Sequence, residues 1–462
     1  MKRFPLAAAF WTMCGTAAAE GEPQAAIELY VDTTTRQIFA EPGPGRQRLG
    51  RFVQAGDAPA QAAVQAAPAA TQVATAPAVA AATKSKPWYE KLSIRGYVQM
   101  RYNQEIGAGA KDLRSPGDRF IGREQGFGIR RARVVISGDV SDRVSIYLQP
   151  DLASTPSGST TTHFAQLRDA YADLWLDADK EWRIRAGQSK IPFGWEDLQS
   201  SQNRIALDRA DALNSAVRDE RDLGVFLYWS PKEIKERFAY LQKSGLKGSG
   251  DYGMFGVGVY NGQGANRPDR NDQLHTVVHF SYPFKFANGQ YLEVGADAYA
   301  GRYKVSTAAM TIDGRSITPV VDAPVTGSTD RRVAAHVIYY PQPFGFQAEW
   351  TVGKGPQLDI ANRSIRTRAL RGGYAQVMYK FDSDSGSFIP YAKWQTYRGG
   401  AKFDTNAPKM SVDELEAGVE WQPSNAVELA VAFANMRRTD VGSAPYRKIE
   451  GKLLRVQLQV NY

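Results

Sequence analysis

The stretch "KLLRVQLQVNY" (452–462) decides the fold. Leu454, Val456, Leu458, Val460 and Tyr462 take one parity, and Arg455, Gln457, Gln459 and Asn461 take the other. Successive side chains of a strand point to opposite faces, so this stretch has one apolar and one polar face. It is still a regular strand at its last residue. Such a strand is expected to meet the first strand of a closed barrel, because closure removes the open edges.

Working outward, the composition suits strands. The 462 residues include 22 Tyr, 9 Trp and 42 Gly, with aromatics at 11%, enough for turns and for an interfacial girdle. No run of about 18 apolar residues is present, which excludes a helical span. The start, "MKRFPLAAAFWTMCGTAAAEGE", reads as a signal peptide over residues 1–19, with basic Lys2 and Arg3, an apolar core and three small residues before Glu20. The single cysteine, Cys14, lies inside it behind a bulky Met13, which disfavours lipid attachment. The exported chain is thus expected to have no disulfide and no thiolate metal site.

Residues 20–57 hold "AIELYVDTTTRQIFAEPGPGR" and are expected to be a small periplasmic segment with a hairpin, marginal by itself. An Ala/Pro-rich linker follows at 58–87; 14 of the 26 positions 58–83 are Ala and none is charged. Residues 88–462 then carry sixteen alternating stretches, near 92–104, 126–138, 142–151, 166–177, 181–191, 222–230, 253–261 and 272–283, then near 290–301, 330–340, 344–353, 370–381, 386–398, 411–422, 425–436 and 451–462. Tight turns such as "GDVSD", "DADK" and "PQP" alternate with longer polar segments at 104–125, 302–329, 354–369 and 437–450. The link 231–252 is long where a short turn is expected. This rhythm predicts an all-β protein: a transmembrane antiparallel β-barrel of about sixteen strands, with short periplasmic turns and long extracellular loops.

The charged parity must face inward. Each Arg near the bilayer midplane costs roughly 2–4 kcal/mol, so several facing lipid would exceed the roughly 5–15 kcal/mol stability of a domain. The expected interior is a water-filled lumen, since a packed one would not tolerate so many charges. By parity it is lined by basic Arg95, Arg101, Arg131, Arg133, Arg183, Arg185, Lys190 and Arg455, and by acidic Asp151, Asp169, Asp173, Glu293, Asp297, Glu414, Glu416 and Glu420. The third loop, 192–221, offers Arg204, Arg209, Arg218 and Arg221 among a larger number of acids. The early strands should thus present a positive wall and the late strands, with Glu349 and Glu428, a negative one.

The stretches "IRGYVQMRY" (94–102), "FGIRRARVVISGDVSDRVSIYLQPD" (127–151), "LRDAYADLWL" (167–176) and above all "IRAGQSKIPFGWEDLQSSQNRIALDRA" (184–210) resemble the phosphate-selective porin O/P family. The resemblance covers about residues 88–462. It implies a homotrimeric sixteen-stranded outer-membrane channel whose third loop folds inward, with basic residues on wall and constriction setting selectivity.

Other chemistry is weakly supported. His275 and His279 have a helical metal-pair spacing, but in a strand they lie roughly 13 Å apart and cannot share an ion. "GVGVYNGQG" (256–264) lacks the lysine and helix of a phosphate loop. No cofactor, metal or nucleic-acid partner is expected; the partners are outer-membrane lipid, small anionic or polar solutes and further copies of the chain. The expected function is passive diffusion with an anion preference, phosphate being the narrower form of it. Two alternatives stand beside it: a barrel-anchored scaffold that binds through residues 20–57, and an outer-membrane hydrolase using a rim histidine such as His163.

Overall fold

A computed structural model describes residues 27–32, 38–39, 41–52, 87–107, 113, 115, 118, 121, 126–154, 163–442 and 444–462. The signal-peptide segment and nearly all of the linker lie outside these residues. The chain divides into two compact units, Met1–Thr83 and Lys84–Tyr462.

In the first unit, Ile27–Asp32 is the centre of a three-stranded sheet, flanked by Ile38–Phe39 and Arg46–Phe52. The expected hairpin is present, with Tyr30 opposite Phe39 and Val31 opposite Ile38, and a third strand adds to it. The third strand, RQRLGRF, lacks strict alternation and pairs with Ile27–Asp32 across a bulge between Leu29 and Tyr30.

The second unit is a closed antiparallel barrel with sixteen staves among the described residues. They are β1 (Leu92–Ile106), β2 (Gly126–Ser141), β3 (Val144–Ser154), β4 (Phe164–Trp175), β5 (Trp182–Lys190), β6 (Arg221–Trp229), β7 (Phe255–Tyr260) and β8 (His275–Lys285). The second half comprises β9 (Tyr291–Tyr303), β10 (Ser328–Tyr339), β11 (Phe344–Asp359), β12 (Ser364–Tyr379), β13 (Gly386–Gly400), β14 (Lys409–Ser424), β15 (Val427–Thr439) and β16 (Lys448–Asn461). β16 pairs with β1 from Lys452↔Ile106 to Asn461↔Tyr97. Gly96 and Tyr462 finish the seam by exchanging backbone hydrogen bonds of 2.7 and 3.0 Å.

Burial is inside out. Along β16, Leu453, Arg455, Gln457 and Gln459 are buried while Leu454 and Val460 are exposed. The exposed parity elsewhere carries Val225, Val257, Val278, Val333, Trp350, Val377, Trp394 and Phe433. An apolar exterior around a polar interior is what hydrocarbon solvent selects.

Two connections depart from the expected rhythm. Between β11 and β12 the polar segment 354–369 is mostly strand, paired out to Asp359↔Ser364. This tall hairpin packs Leu358 and Ile365 against Tyr303, Val305 and Met310, so its ladder continues past the apolar band. At the short-turn end, 231–252 contains the helix α1 (Lys232–Lys243), which buries Ile234, Phe238 and Leu241.

The interior itself corrects the expectation of an unfilled lumen. Loop three (191–220) lies inside, where Ile191, Phe193, Ala212, Leu213 and Val217 join Phe226, Tyr260, Val277, Tyr299, Tyr374 and Tyr397 of the wall. From the other end, Leu241 and Leu246 pack with Trp195, Tyr291, Ile338 and Tyr340. Buried charge survives this packing because most of it is paired.

Candidate functional site: a basic passage beside a neutralised wall

Loop three is fastened to the late strands by its own backbone. Gly194 donates its N–H to Asp297 at 2.8 Å, and Trp195 and Glu196 donate theirs to Glu349 at 2.7 and 3.1 Å. Gly194 has φ +86°, and a Cβ there would lie 3.2 Å from Leu213 and 3.3 Å from Glu349. Glycine therefore lets the Pro-Phe-Gly corner press its amides onto the wall. His279 holds the other Asp297 oxygen at 2.6 Å, and Glu293 accepts from Ser281 at 2.6 Å and from Tyr340. Asp297, His336 and Glu349 each bring a possible ligand atom within 4.8 Å of the others. Their carboxylates already serve the loop amides, so the trio reads as an anchorage. The structure places Asp297 under loop three, and Glu293 among Ser281, Tyr340 and His336 of the wall, rather than on open lumen.

The late strands are closed by ion pairs. Arg455 meets Glu416 and Asp118 at 2.8 Å each, and also Asp208. Arg438 pairs with Glu414 and, at 2.9 Å, with Asp211. Lys393 pairs with Glu196, and Lys402 with Asp330. The insert after β6 sends Lys247 to Glu420 at 2.6 Å and Glu428 at 3.2 Å. The void among Lys393, Glu414, Glu416 and Arg455 is 20 Å³, about one water.

The early strands differ. Many of their cations are also paired: Arg133 with Asp151 at 2.9 Å, Arg183 with Asp251 at 2.8 Å, and Arg221 with Asp169 at 2.9 Å. Arg185 makes two 2.8 Å bonds to Asp173 and stacks on Tyr171 at 3.8 Å. Arg101 reaches Asp118 and Asp208 at 2.9 and 3.0 Å, and Arg209 reaches Glu220 at 2.6 Å. Arg221 is the first residue of β6, not part of loop three.

Besides Arg218, which donates to the Phe403 carbonyl at 3.2 Å, four cations here meet no carboxylate within 4 Å among the described residues. Arg131 donates to Gln99 at 2.7 Å, and its Nε has no partner. Arg204 donates to the Leu207 carbonyl at 3.1 Å, leaving Nη1 without one. Lys190 donates to the carbonyls of Leu198 and Gln199 at 2.7 and 2.8 Å. Arg95 donates to Ser137 at 2.8 Å and lies over the Tyr147 ring at 5.7 Å.

These four line successive cavities on one side of the barrel. An outer vestibule of 660 Å³ holds Arg218, Asp211, Asp219 and Asp404, whose carboxyl burial pushes up to about 6. It shares Ser154, Gln166, Asn214 and Asp219 with a 230 Å³ chamber that contains Arg131 and Arg204. That chamber has six arginines against four carboxylates. It shares Arg133 with a 260 Å³ chamber that contains Arg95 and Lys190, where five cations face two carboxylates. Tyr147, Tyr171 and Tyr252 line the inner chamber.

One arginine of this passage escapes parity. Gln99 pairs with Arg131 but Met100 pairs with Ile129, so Arg130 is the extra residue of a bulge. The bulge turns Arg130 toward the chamber beside Arg131, where it lies 4.0 Å from Asp208. The dipeptide "RR" inside a strand is its visible sign. Asp118, Lys247 and Asp251 come from connections, which alternation cannot place.

The chain is similar to solved outer-membrane proteins. OmpT of Vibrio cholerae, expressed in the outer membrane, is 10% identical with a TM-score of 0.46, covering 80% of this chain and 97% of that one. The outer-membrane channel DcaP of Acinetobacter baumannii is 13% identical with a TM-score of 0.45 over 80% and 97%. An anion-selective porin from Comamonas acidovorans is 9% identical with a TM-score of 0.44 over 80% and 99%. No curated protein matches the chain. The family model for phosphate-selective porins O and P matches residues 100–462, which carry every stave but the start of β1. The chain belongs to the phosphate-selective porin O and P family of outer-membrane channels.

Proposed function

We propose that this channel passes small hydrophilic anions along the inner face of β1–β5, without catalysis. The observation that carries the proposal is the set of four cations without carboxylate partners, two in each chamber. Arg131, Lys190 and Arg204 are buried and Arg95 is exposed beside Tyr147, and together they offer an anion unspent donors at two successive stations. Passage needs stations that bind and release, and exchange between neighbouring stations suits it. Phosphate, with several acceptor oxygens, is the candidate that arginine serves best.

The test is a zero-current potential in a tenfold KCl gradient across a bilayer holding the purified channel, repeated with potassium phosphate on one side. A potential of anion sign supports the reading, and phosphate slowing chloride current supports the narrower one. A cation-sign potential overturns it.

The reading extends to assembly and organisation. The family resemblance supports a homotrimer, to be checked by cross-linking in outer membranes. Residues 1–19 act as signal peptide and 58–87 as linker, so a chain starting at Trp88 behind a signal peptide should conduct like the whole protein. A large change in its conductance would show that residues 20–57 act on the channel.

A further inference from the structure

Outside the barrel, four neighbouring strands form a groove of 510 Å³. Its rows follow the register: Val278, Ala298, Val333 and Val352 on one level, then Thr276, Ala300, Arg331 and Lys354 on the next toward the loops. The two alanines make a low floor between valines that are 55%, 52% and 49% exposed. Arg331 and Lys354 stand directly opposite each other on β10 and β11, both exposed. Like charges in that position repel across about 5 Å. Arg371 on β12, opposite Val352, adds a third outward cation.

Three other outward cations near the loop end have acids. Arg368 meets Asp359 at 2.9 Å, Arg398 meets Asp413 at 3.6 Å, and Arg437 meets Glu450 at 3.0 Å. Arg331, Lys354 and Arg371 have no carboxylate within 4 Å among the described residues. Their height is informative. From Phe344 at the short-turn end to Lys354, ten residues at about 3.3 Å and a tilt of about 40° climb about 25 Å, the height of the apolar band. The cations thus sit at the outer headgroup level, and the groove runs below them into the hydrocarbon.

We infer that this face is a docking site for a phosphorylated glycolipid of the outer leaflet, of the lipid A type. Its phosphate bridges Arg331 and Lys354, with Arg371 beside it, and an acyl chain lies in the alanine-floored groove. A second copy of the chain fits less well, because it would have to bury three cations that lack acids.

The experiment places the whole protein in phosphatidylcholine nanodiscs doped with diphosphorylated lipid A and counts retained lipid by native mass spectrometry. Dephosphorylated lipid A and inorganic phosphate are run as separate arms. Retention of lipid A should fall at least tenfold in Arg331→Ser/Lys354→Ser. It should also fall in Ala298→Leu, which fills the groove and keeps the charges. Lys452→Ser, an exposed cation on β16 away from the groove, should retain lipid A normally. Dephosphorylated lipid and inorganic phosphate should be retained at least tenfold less by the wild type. Unchanged retention in Ala298→Leu, equal loss in Lys452→Ser, or equal retention of the dephosphorylated lipid would overturn the site. So would loss of cross-linked oligomer in Arg331→Ser/Lys354→Ser with lipid A still held, which would make the face a contact between copies.

Discussion

The two inner walls of this barrel are built from the same residue types and do opposite things. On the late side most buried cations have an acid: Lys247 of the insert with Glu420 and Glu428, Arg438 with Glu414 and Asp211, Lys402 with Asp330; Arg332 of β10 is instead spent on loop three, donating to Ala212 and Ser215 at 2.8–3.0 Å. The space between them closes to 20 Å³. On the early side paired arginines alternate with Arg95, Arg131 and Lys190 of the strands and Arg204 of loop three, and chambers of 230 and 260 Å³ stay open. Charge count therefore says little about selectivity. What matters is which charges still have a donor to offer, and pairing by loop three and the β6–β7 insert decides that.

The comparison breaks most visibly on the late side. Lys247→Met should destabilise the barrel by about 3–5 kcal/mol, because it strands Glu420 and Glu428 in a buried site. Adding Glu420→Gln and Glu428→Gln should recover most of the loss. Urea midpoints followed by heat-modifiable migration read both steps. A single variant of wild-type stability would mean that the insert is not seated in the lumen.

Loop three separates the walls, and Gly194 is where it is pinned. Gly194→Ala places a Cβ at φ +86° against Leu213 and Glu349, with a strain of about 1–3 kcal/mol. Single-channel conductance should rise as the loop lifts from Glu349 and Asp297. Unchanged conductance would separate the anchorage from the pore.

Arg185→Lys keeps the charge but loses the two-point contact with Asp173 and the stack on Tyr171, about 1–2 kcal/mol. Thermal midpoint should fall while ion selectivity stays put. A shift in selectivity would place this paired arginine among the functional ones.

A further effect concerns pH. Asp197 in loop three is buried, and burial pushes its carboxyl up to about 8; Arg209 lies 3.5 Å away without making a hydrogen bond to it. A carboxyl with a raised folded pKa favours the folded loop fully below its ordinary value of 3.8, and that contribution is lost as pH rises toward 8. Asp197→Asn should therefore flatten the decline of thermal midpoint between pH 4 and 8. An identical decline in the variant would assign it to other groups.

Much of the comparison was legible in the sequence, and the unread part has a common cause. Period-two alternation exposes all sixteen staves because lipid and lumen impose opposite solvents on alternate residues. The signal fades where those solvents do. The β11–β12 hairpin rises beyond the apolar band, so 354–369 reads as a loop although it is paired to Asp359↔Ser364. Arg130 is misplaced by parity because a bulge consumes one residue. Arg133, Arg183 and Arg185 look like free wall charge until Asp151, Asp251 and Asp173 are found beside them. Alternation gives the side a residue faces; the partner waiting there comes from connections with no period.

The central claim is that unpaired cations, rather than the whole basic wall, set selectivity. The direct measurement is the zero-current potential in a tenfold KCl gradient for Arg131→Gln/Arg204→Gln, with insertion confirmed by heat-modifiable migration. The account predicts a potential moved toward cation preference, with conductance retained. A potential equal to that of the wild type would contradict it and return selectivity to the wall as a whole.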